Sequence, residues 1–260
     1  MCFLSAGAAV ATARRTQVYS SVLALWADTV ATSPNDAGAR NNLGNALADL
    51  GRDREAAEQF QAALRIAPGY GSPHHNWGNI LMKEGNLKAA AAQYEAALPG
   101  EGSDAGLRYE LGEAYRKLGR YSESLEQFES ALRAKSESSL VWYELGNAFI
   151  DAGHLPEAEI ALRRSLSLRP EFPDALLNHA GVLAQLGQVD KAVAEFRALL
   201  VLQPLAADVH NDLGGLLAQA GRLAEAREHF EAALALKPDY REARDNLERV
   251  HVLERARGGR

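Results

Sequence analysis

The chain has 260 residues, 47% of them apolar and 24% charged, a globular mixture that excludes general disorder and a collagen-like chain. Its net charge of -6 argues against a nucleic-acid partner, because phosphate binding needs a basic surface. A single cysteine, Cys2, leaves no intrachain disulfide and no cysteine cluster for zinc, and no apolar run reaches the roughly 18 residues that span a bilayer. The chain opens on an apolar segment, Cys2–Ala13, followed by Arg14-Arg15. Three readings of it stay open. It packs as a degenerate helix; or Ala11-x-Ala13 is the cleavage site of a signal peptide, although no basic residue precedes the apolar run; or it is the tail of a membrane helix. Any membrane association would run through this segment alone.

From residue 37 onward the chain repeats. Leu43-Gly44, Trp77-Gly78, Leu111-Gly112, Leu145-Gly146, His179-Ala180 and Leu213-Gly214 follow one another at 34-residue intervals. A second glycine follows at Gly51, Gly85, Gly119, Gly153, Gly187 and Gly221. Counting each repeat from 37, 71, 105, 139, 173 and 207 puts these glycines at positions 8 and 15. Positions 4, 7, 8 and 11 share one face of a helix. Glycine at position 15 ends that helix, since it tolerates the left-handed conformation. A second helix follows, with positions 20, 24 and 27 as its apolar stripe. Position 20 is small (Ala56, Ala90, Ser124, Ala158, Ala192, Ala226), so the two helices approach closely, Gly146 against Ala158. Position 24 is large (Phe60, Tyr94, Phe128, Leu162, Phe196, Phe230) and is expected to fill the space between one helix pair and the next. Proline closes the second helix at Pro68, Pro170, Pro204 and Pro238, and Pro99-Gly100 is expected to shorten it in the second repeat.

The register predicts an apolar segment plus a degenerate half-repeat over 1–36. Six helix pairs follow over 37–240 (37–70, 71–104, 105–138, 139–172, 173–206 and 207–240), and a capping helix over 241–260. Counted backwards, it places Val22, Trp26 and Thr29 at positions 20, 24 and 27 of a second helix over 18–33. In the capping helix Leu247, Val250, Val252 and Leu253 form the apolar side.

The pattern W-x2-L-G-x2-Y, then A-x3-F, then P, at this period resembles the tetratricopeptide repeat, and Trp142-x2-Leu145-Gly146-x2-Phe149 matches it best. The resemblance covers 37–240 and implies an all-α fold, a right-handed α-solenoid of stacked helix-turn-helix hairpins. The stretch from Arg14-Arg15-Thr16-Gln17-Val18-Tyr19 through Leu25–Val30 and Ser33-Pro34-Asn35-Asp36 into Asn42-Leu43-Gly44 resembles the junction of polytopic membrane proteins of this family. In those a glycosyltransferase-like membrane region precedes the repeats.

No catalytic chemistry stands out. The seven histidines show no His-Glu-x-x-His spacing, and His74 and His210, both at position 4, are expected to be packing residues. There is no Gly-x-x-x-x-Gly-Lys phosphate loop and no Gly-x-Ser-x-Gly elbow. The expectation is a non-enzymatic chain without metal or cofactor.

With 4, 7, 8 and 11 facing inward, positions 5, 6 and 9 belong to the opposite stripe, which in this family lines a concave groove. Position 6 carries Asn42, Asn76, Glu110, Glu144, Asn178 and Asp212; position 9 carries Asn45, Asn79, Glu113 and Asn147, then Gly181 and Gly215. Asparagine is a poor helix former, so its recurrence on one face needs another reason. An amide offers a donor and an acceptor, and can pair with the backbone of an extended peptide. The array resembles the asparagine-lined repeats of O-linked N-acetylglucosamine transferase, whose catalytic domain has no counterpart in 1–260. Tyr109 and Tyr143, at position 5, would anchor the peptide, and the glutamates beside them would favour basic segments. Positions 5 and 6 of the first three repeats hold no lysine or arginine, so a clamp for an acidic C-terminus is disfavoured. The expected function is a protein-interaction scaffold binding an extended polypeptide. The alternative is the substrate-recruiting region of a membrane glycosyltransferase-like protein. Compartment is left open between the cytoplasm and a membrane-tethered extracytoplasmic site.

Overall fold

The computed structural model describes residues 21–101, 104–135 and 137–258, and every regular element among them is a helix. The Cys2–Ala13 segment, and with it the signal-peptide and membrane readings, lies outside the described residues. Among those residues no helix is long and apolar enough to cross a membrane.

The chain divides into two compact units, Met1–Lys135 and Ser136–Arg260. The first holds α1 (21–32) and three helical hairpins: α2 (Ala37–Asp49) with α3 (Asp53–Ile66), α4 (Gly71–Lys83) with α5 (Leu87–Glu101), and α6 (Ala105–Lys117) with α7 (Tyr121–Ala134). The second holds α8 (Ser139–Asp151) with α9 (Leu155–Leu168), α10 (Pro173–Gln185) with α11 (Val189–Leu202), α12 (Ala207–Gln219) with α13 (Leu223–Leu236), and α14 (Arg241–Gly258). Within each unit the hairpins stack, as an α-solenoid requires. The division falls at Lys135-Ser136-Glu137-Ser138, a link without the proline found at Pro68, Pro170, Pro204 and Pro238.

Each hairpin closes on one close approach. A Cβ on Gly44 would lie 2.5 Å from the Phe60 ring, on Gly78 2.5 Å from Tyr94, and on Gly214 2.8 Å from Phe230. The ring at position 24 therefore rests on bare backbone at position 8 of its own hairpin, and it also fills the gap to the next hairpin as expected: Phe60 clusters with Ile80, Tyr94 with Leu107 and Leu111, and Leu162 with Val182. At Gly146 the nearest atom is Leu162 Cγ, at 2.7 Å, and not Ala158 as the small-on-small pattern suggested. Position 20 lies beside the same turn: Ser124 Oγ donates to the Gly112 carbonyl at 2.8 Å. Phe60, Phe128, Leu162 and Phe230 are each at most 1% exposed.

The turns are equally uniform. The six glycines at position 15 have φ between 73° and 79°. After each of them a backbone N–H reaches back to a carbonyl at position 11, as in Arg52 N–H to Leu47 O at 2.9 Å and His154 N–H to Phe149 O at 2.8 Å. That is the left-handed C-terminal cap that glycine accepts without strain.

Two local expectations need correction. α5 is not shortened: it runs through Pro99 and Gly100 to Glu101. Pro99 falls in the last turn, and both it and Glu95 are exposed, so water can satisfy the Glu95 carbonyl that loses its donor. Gly102 and Ser103 lie outside the described residues. In α14 the packed residues are Ala243, Leu247 and Val250, whereas Val252 is 51% and Leu253 48% exposed. The helical period carries 243, 247 and 250 onto one face and turns 252 and 253 away from it. At the other end Trp26, with Leu23 and Val30, packs against Leu43, Leu47 and Phe60.

Gly181 and Gly215 behave differently from the position-8 glycines, since a Cβ on either would meet nothing within 4 Å. Gly181→Ala and Gly215→Ala should each raise the urea midpoint, by up to about 1 kcal/mol of helix propensity. Gly44→Ala should lower it, because its Cβ overlaps the Phe60 ring, an overpacking that costs about 1–3 kcal/mol. Equal shifts at the three positions would show that the ring at position 24 does not rest on that backbone.

Candidate functional site

The sequence-derived residues fall into two sets, one per unit. In the first unit α2, α4 and α6 present Asn42, Asn45, Asn76, Asn79, Tyr109, Glu110 and Glu113. In the second, α8, α10 and α12 present Tyr143, Glu144, Asn147, Asn178 and Asp212.

In both units the asparagines are paired across neighbouring helices. Asn76 Nδ2 donates to Asn41 Oδ1 at 3.1 Å and to Asn45 Oδ1 at 2.8 Å. Asn178 Nδ2 repeats this with Asn147 Oδ1 at 2.7 Å and the Tyr143 hydroxyl at 3.4 Å. Asn246, on α14, donates to Asn211 Oδ1 at 3.1 Å. Asn76 and Asn178 share one rule, the position-6 amide bonding positions 5 and 9 of the helix one repeat earlier, and Asn246 reaches position 5 alone because position 9 is Gly215. His75 and Glu110 form an imidazole–carboxylate version of the rung. Asn79 accepts from Tyr94 OH at 2.7 Å, and Asn147 Nδ2 reaches Glu144 Oε2 at 3.4 Å.

These bonds commit the Nδ2 groups of Asn76, Asn178 and Asn246 and fix which way those three amides point, whereas Asn42 accepts from its neighbour Asn41 at 3.5 Å. Among the described residues no donor reaches the Oδ1 of Asn76 or Asn178. At Asn76 and Asn178 the stripe therefore offers oriented acceptors rather than free amides. Asn41, Asn211, Asn246 and His75 belong to it as well, although reading one column of the repeat at a time did not single them out. The signal was present as polar residues 35 positions apart, at position 5 of one repeat and position 6 of the next.

The tyrosines are half-buried. Tyr109 sits 5.9 Å from the Phe128 ring and Tyr143 4.8 Å from Phe172, centroid to centroid. Glu113 pairs with Lys117 at 2.6 Å. With Glu110 held by His75, much of the acidic charge of the first unit is already partnered. In the second unit a hollow of about 580 Å³ opens beside Asn211, Asp212, Gly215, Glu242, Asn246 and Arg249. Partial desolvation raises the pKa of Asp212, an Asn211 hydrogen bond opposes this, and the carboxylates of Glu242 and Asp208 add to it. A hollow of about 440 Å³ in the first unit lies beside Asn45, Asp53, Asn76, Asn79 and Lys83. Burial pushes the Tyr115 hydroxyl, which donates to Glu95 at 2.7 Å, up to about 12.

The position-4 histidines are latches rather than plain packing. His74 bonds Gln93 at 2.7 Å and the Pro68 carbonyl at 2.9 Å, as Arg40 bonds Gln59 at 3.2 Å and Arg108 bonds Gln127 at 3.0 Å. His210 and His229 meet through their Nδ1 atoms at 3.0 Å. His179, 4% exposed, lies 3.1 Å from Glu195 and 3.8 Å from Glu159. Among the described residues no group of three or more His, Cys, Asp or Glu side chains is placed to hold a metal ion.

The tetratricopeptide repeat model matches residues 17–71, 75–139, 143–203 and 177–241. No match was found among curated proteins. Among solved structures, YrrB, described as a TPR protein with an unusual peptide-binding site, is 29% identical, with a TM-score of 0.63 over 72% of this chain and 96% of its own. The C-terminal part of a TPR repeat-containing protein from Cytophaga hutchinsonii is 20% identical, with a TM-score of 0.73 over 90% of this chain and 96% of its own. PilF of Pseudomonas aeruginosa is 21% identical, with a TM-score of 0.64 over 80% and 95%. The last two establish likeness of fold alone.

The His210–His229 latch has a testable pH signature. Burial lowers the pKa of His229 below 6.5, and His210 and Arg197 add to this. As pH falls below about 6.5 the unfolded chain takes up a proton that folded His229 resists, so stability drops until the folded pKa is reached. Urea midpoints should therefore fall between pH 7 and pH 5, and His229→Gln should flatten that slope. An unchanged slope in the variant would remove the latch as its source.

Proposed function

The chain belongs to the tetratricopeptide repeat family, whose fold is typical of protein-interaction scaffolds, and from that premise we propose that it is a non-catalytic scaffold binding extended polypeptide along the first-helix stripe of each unit. The observation that carries this is the oriented amide. With its N–H group tied to the preceding helix, the Oδ1 of Asn76 or Asn178 is an acceptor already ordered for a peptide N–H. Its side-chain entropy is lost on folding and not on binding. Backbone N–H groups are present in every peptide, so recognition of this kind tolerates sequence and grows with length. Tyr109 and Tyr143 stand beside the rungs as partly buried rings with a polar tip, the residue type that anchors interfaces. Asp212 and Glu242 favour a lysine or arginine in the second unit more than the partnered Glu110 and Glu113 do in the first. The likeness to YrrB, a TPR protein with an unusual peptide-binding site, supports the same reading.

A lysine-containing polyalanine peptide should bind more tightly than its glutamate counterpart, and longer versions more tightly than short ones. Methylating its backbone nitrogens should weaken it. Alanine at Asn42, Asn76 and Asn178 together removes two groups from the stripe of the first unit and one from that of the second, each worth about 0.5–1.5 kcal/mol, so the loss should be about five-fold or more at the first and about two-fold or more at the second. Fluorescence polarisation measures this, with helical circular dichroism as the control for folding. Undiminished binding by the triple variant, or by the methylated peptide, would refute the acceptor stripe.

A further inference from the structure

Six copies of one hairpin in a single chain supply an internal control, since a feature that five copies lack is not demanded by the fold. The α8–α9 hairpin departs from the others along its outer edge. In four hairpins positions 4 and 23 form a polar latch: Arg40 with Gln59, His74 with Gln93, Arg108 with Gln127, and His210 with His229. Here the same positions hold Trp142, which the family pattern itself places there, and Ala161, so the departures peculiar to this hairpin are those on its second helix. Position 22 is exposed in every hairpin and is Glu58, Ala92, Glu126, Ala194 or Glu228 in the other five; here it is Ile160, 54% exposed. Position 26 is alanine or serine in the other five and Arg164 here.

The departures converge on one place. Trp142, Ile160, Arg163, Arg164 and Ser167 line a hollow of about 350 Å³. Arg163 is held by Glu159 at 3.3 Å. Arg164 reaches Ser167 Oγ at 3.5 Å and meets no carboxylate among the described residues. An apolar hollow bordered by one paired and one unpaired guanidinium thus sits on a chain whose net charge is -6.

We infer that this hollow is a second docking site, separate from the asparagine stripe, for an acidic polypeptide segment that seats one bulky apolar side chain against Trp142 and Ile160 and a carboxylate on Arg164. The charge decides the class of partner. The Arg164 guanidinium can bind a carboxylate through two parallel N–H···O bonds, whereas a basic segment would meet it as a like charge. The indole and Ile160 supply apolar area to bury, and Trp and Arg are both among the residue types enriched at interface hot spots. None of the lining residues belongs to the stripe, so this inference stands or falls independently of the proposed function.

The test selects random twelve-residue peptides displayed on phage against the full chain and measures each selected peptide by polarisation. The reference is the double variant Ile160→Glu, Arg164→Glu, whose two sites are exposed. Circular dichroism checks its folding; if folding is lost, Ile160→Ala and Arg164→Ala replace it under the same criterion. At least one group of peptides should pair Asp or Glu with a nearby Leu, Ile, Phe or Trp. It should lose ten-fold or more in affinity for the variant, weaken with salt, and be indifferent to Asn76→Ala. The inference is overturned if no selected peptide distinguishes the variant from the parent chain, or if the peptides that do are basic. Equal competition by a dT oligonucleotide would assign the hollow to nucleic acid and overturn it as well.

Discussion

A large side chain laid on bare backbone is the constraint from which the rest of this molecule is built. Where position 8 is glycine, in five of the six hairpins, its hydrogens leave room for the ring or branched chain at position 24, and even one methyl group would overlap it. Close packing of that kind has little tolerance. It sets how near the two helices lie and how each is rotated about its axis. The rotation in turn decides which residues are left on the opposite stripe. The glycine that caps each first helix, in the left-handed conformation, returns the chain at the same angle every time.

Once the first helices are held in that way, their outer stripes lie close enough for side chains of successive repeats to meet. The asparagine rungs are the consequence. A single amide N–H group serves two acceptors on the neighbouring helix, which satisfies buried or half-buried polar atoms that would otherwise be costly. The same bonds orient the amide, so one arrangement contributes both to the register of the stack and to the acceptors on its surface. The imidazole–carboxylate rung of His75 and Glu110 shows the position accepting another chemistry without losing the geometry.

The two surfaces argued for binding arise in opposite ways. The stripe follows from what the repeats share, and the recognition of peptide backbone proposed for it is correspondingly general. The hollow at Trp142 follows from what one repeat does not share with its siblings, and its chemistry is correspondingly selective. The glycines make the same distinction on a smaller scale. Gly44 is required by a ring, whereas Gly181 and Gly215 face open space and leave the stripe of the second unit wider than an asparagine or glutamate would. A helix interior gives up about 1 kcal/mol for each such glycine, a sum that packing does not return.

The sequence by itself determined the helical class, the family and the ends of the first helices. These depend on the 34-residue period and on glycine at a turn, and both act within a few residues of chain. It also marked Asn76 and Asn178 as unusual, because asparagine in a helix runs against local propensity. It did not determine which atoms of those amides remain available. Their partners lie 31 and 35 residues away on another helix, and only the packed stack brings them within hydrogen-bond distance. The same limit applies at Pro99, where local preference predicts an ending and solvent exposure lets the helix continue. It applies again at Gly146, where the first atom a Cβ would meet belongs to Leu162, a choice among the side chains of the facing helix that only their packing settles. Spacing along the chain is a one-dimensional quantity that fixes faces; distances between side chains on different helices follow from packing.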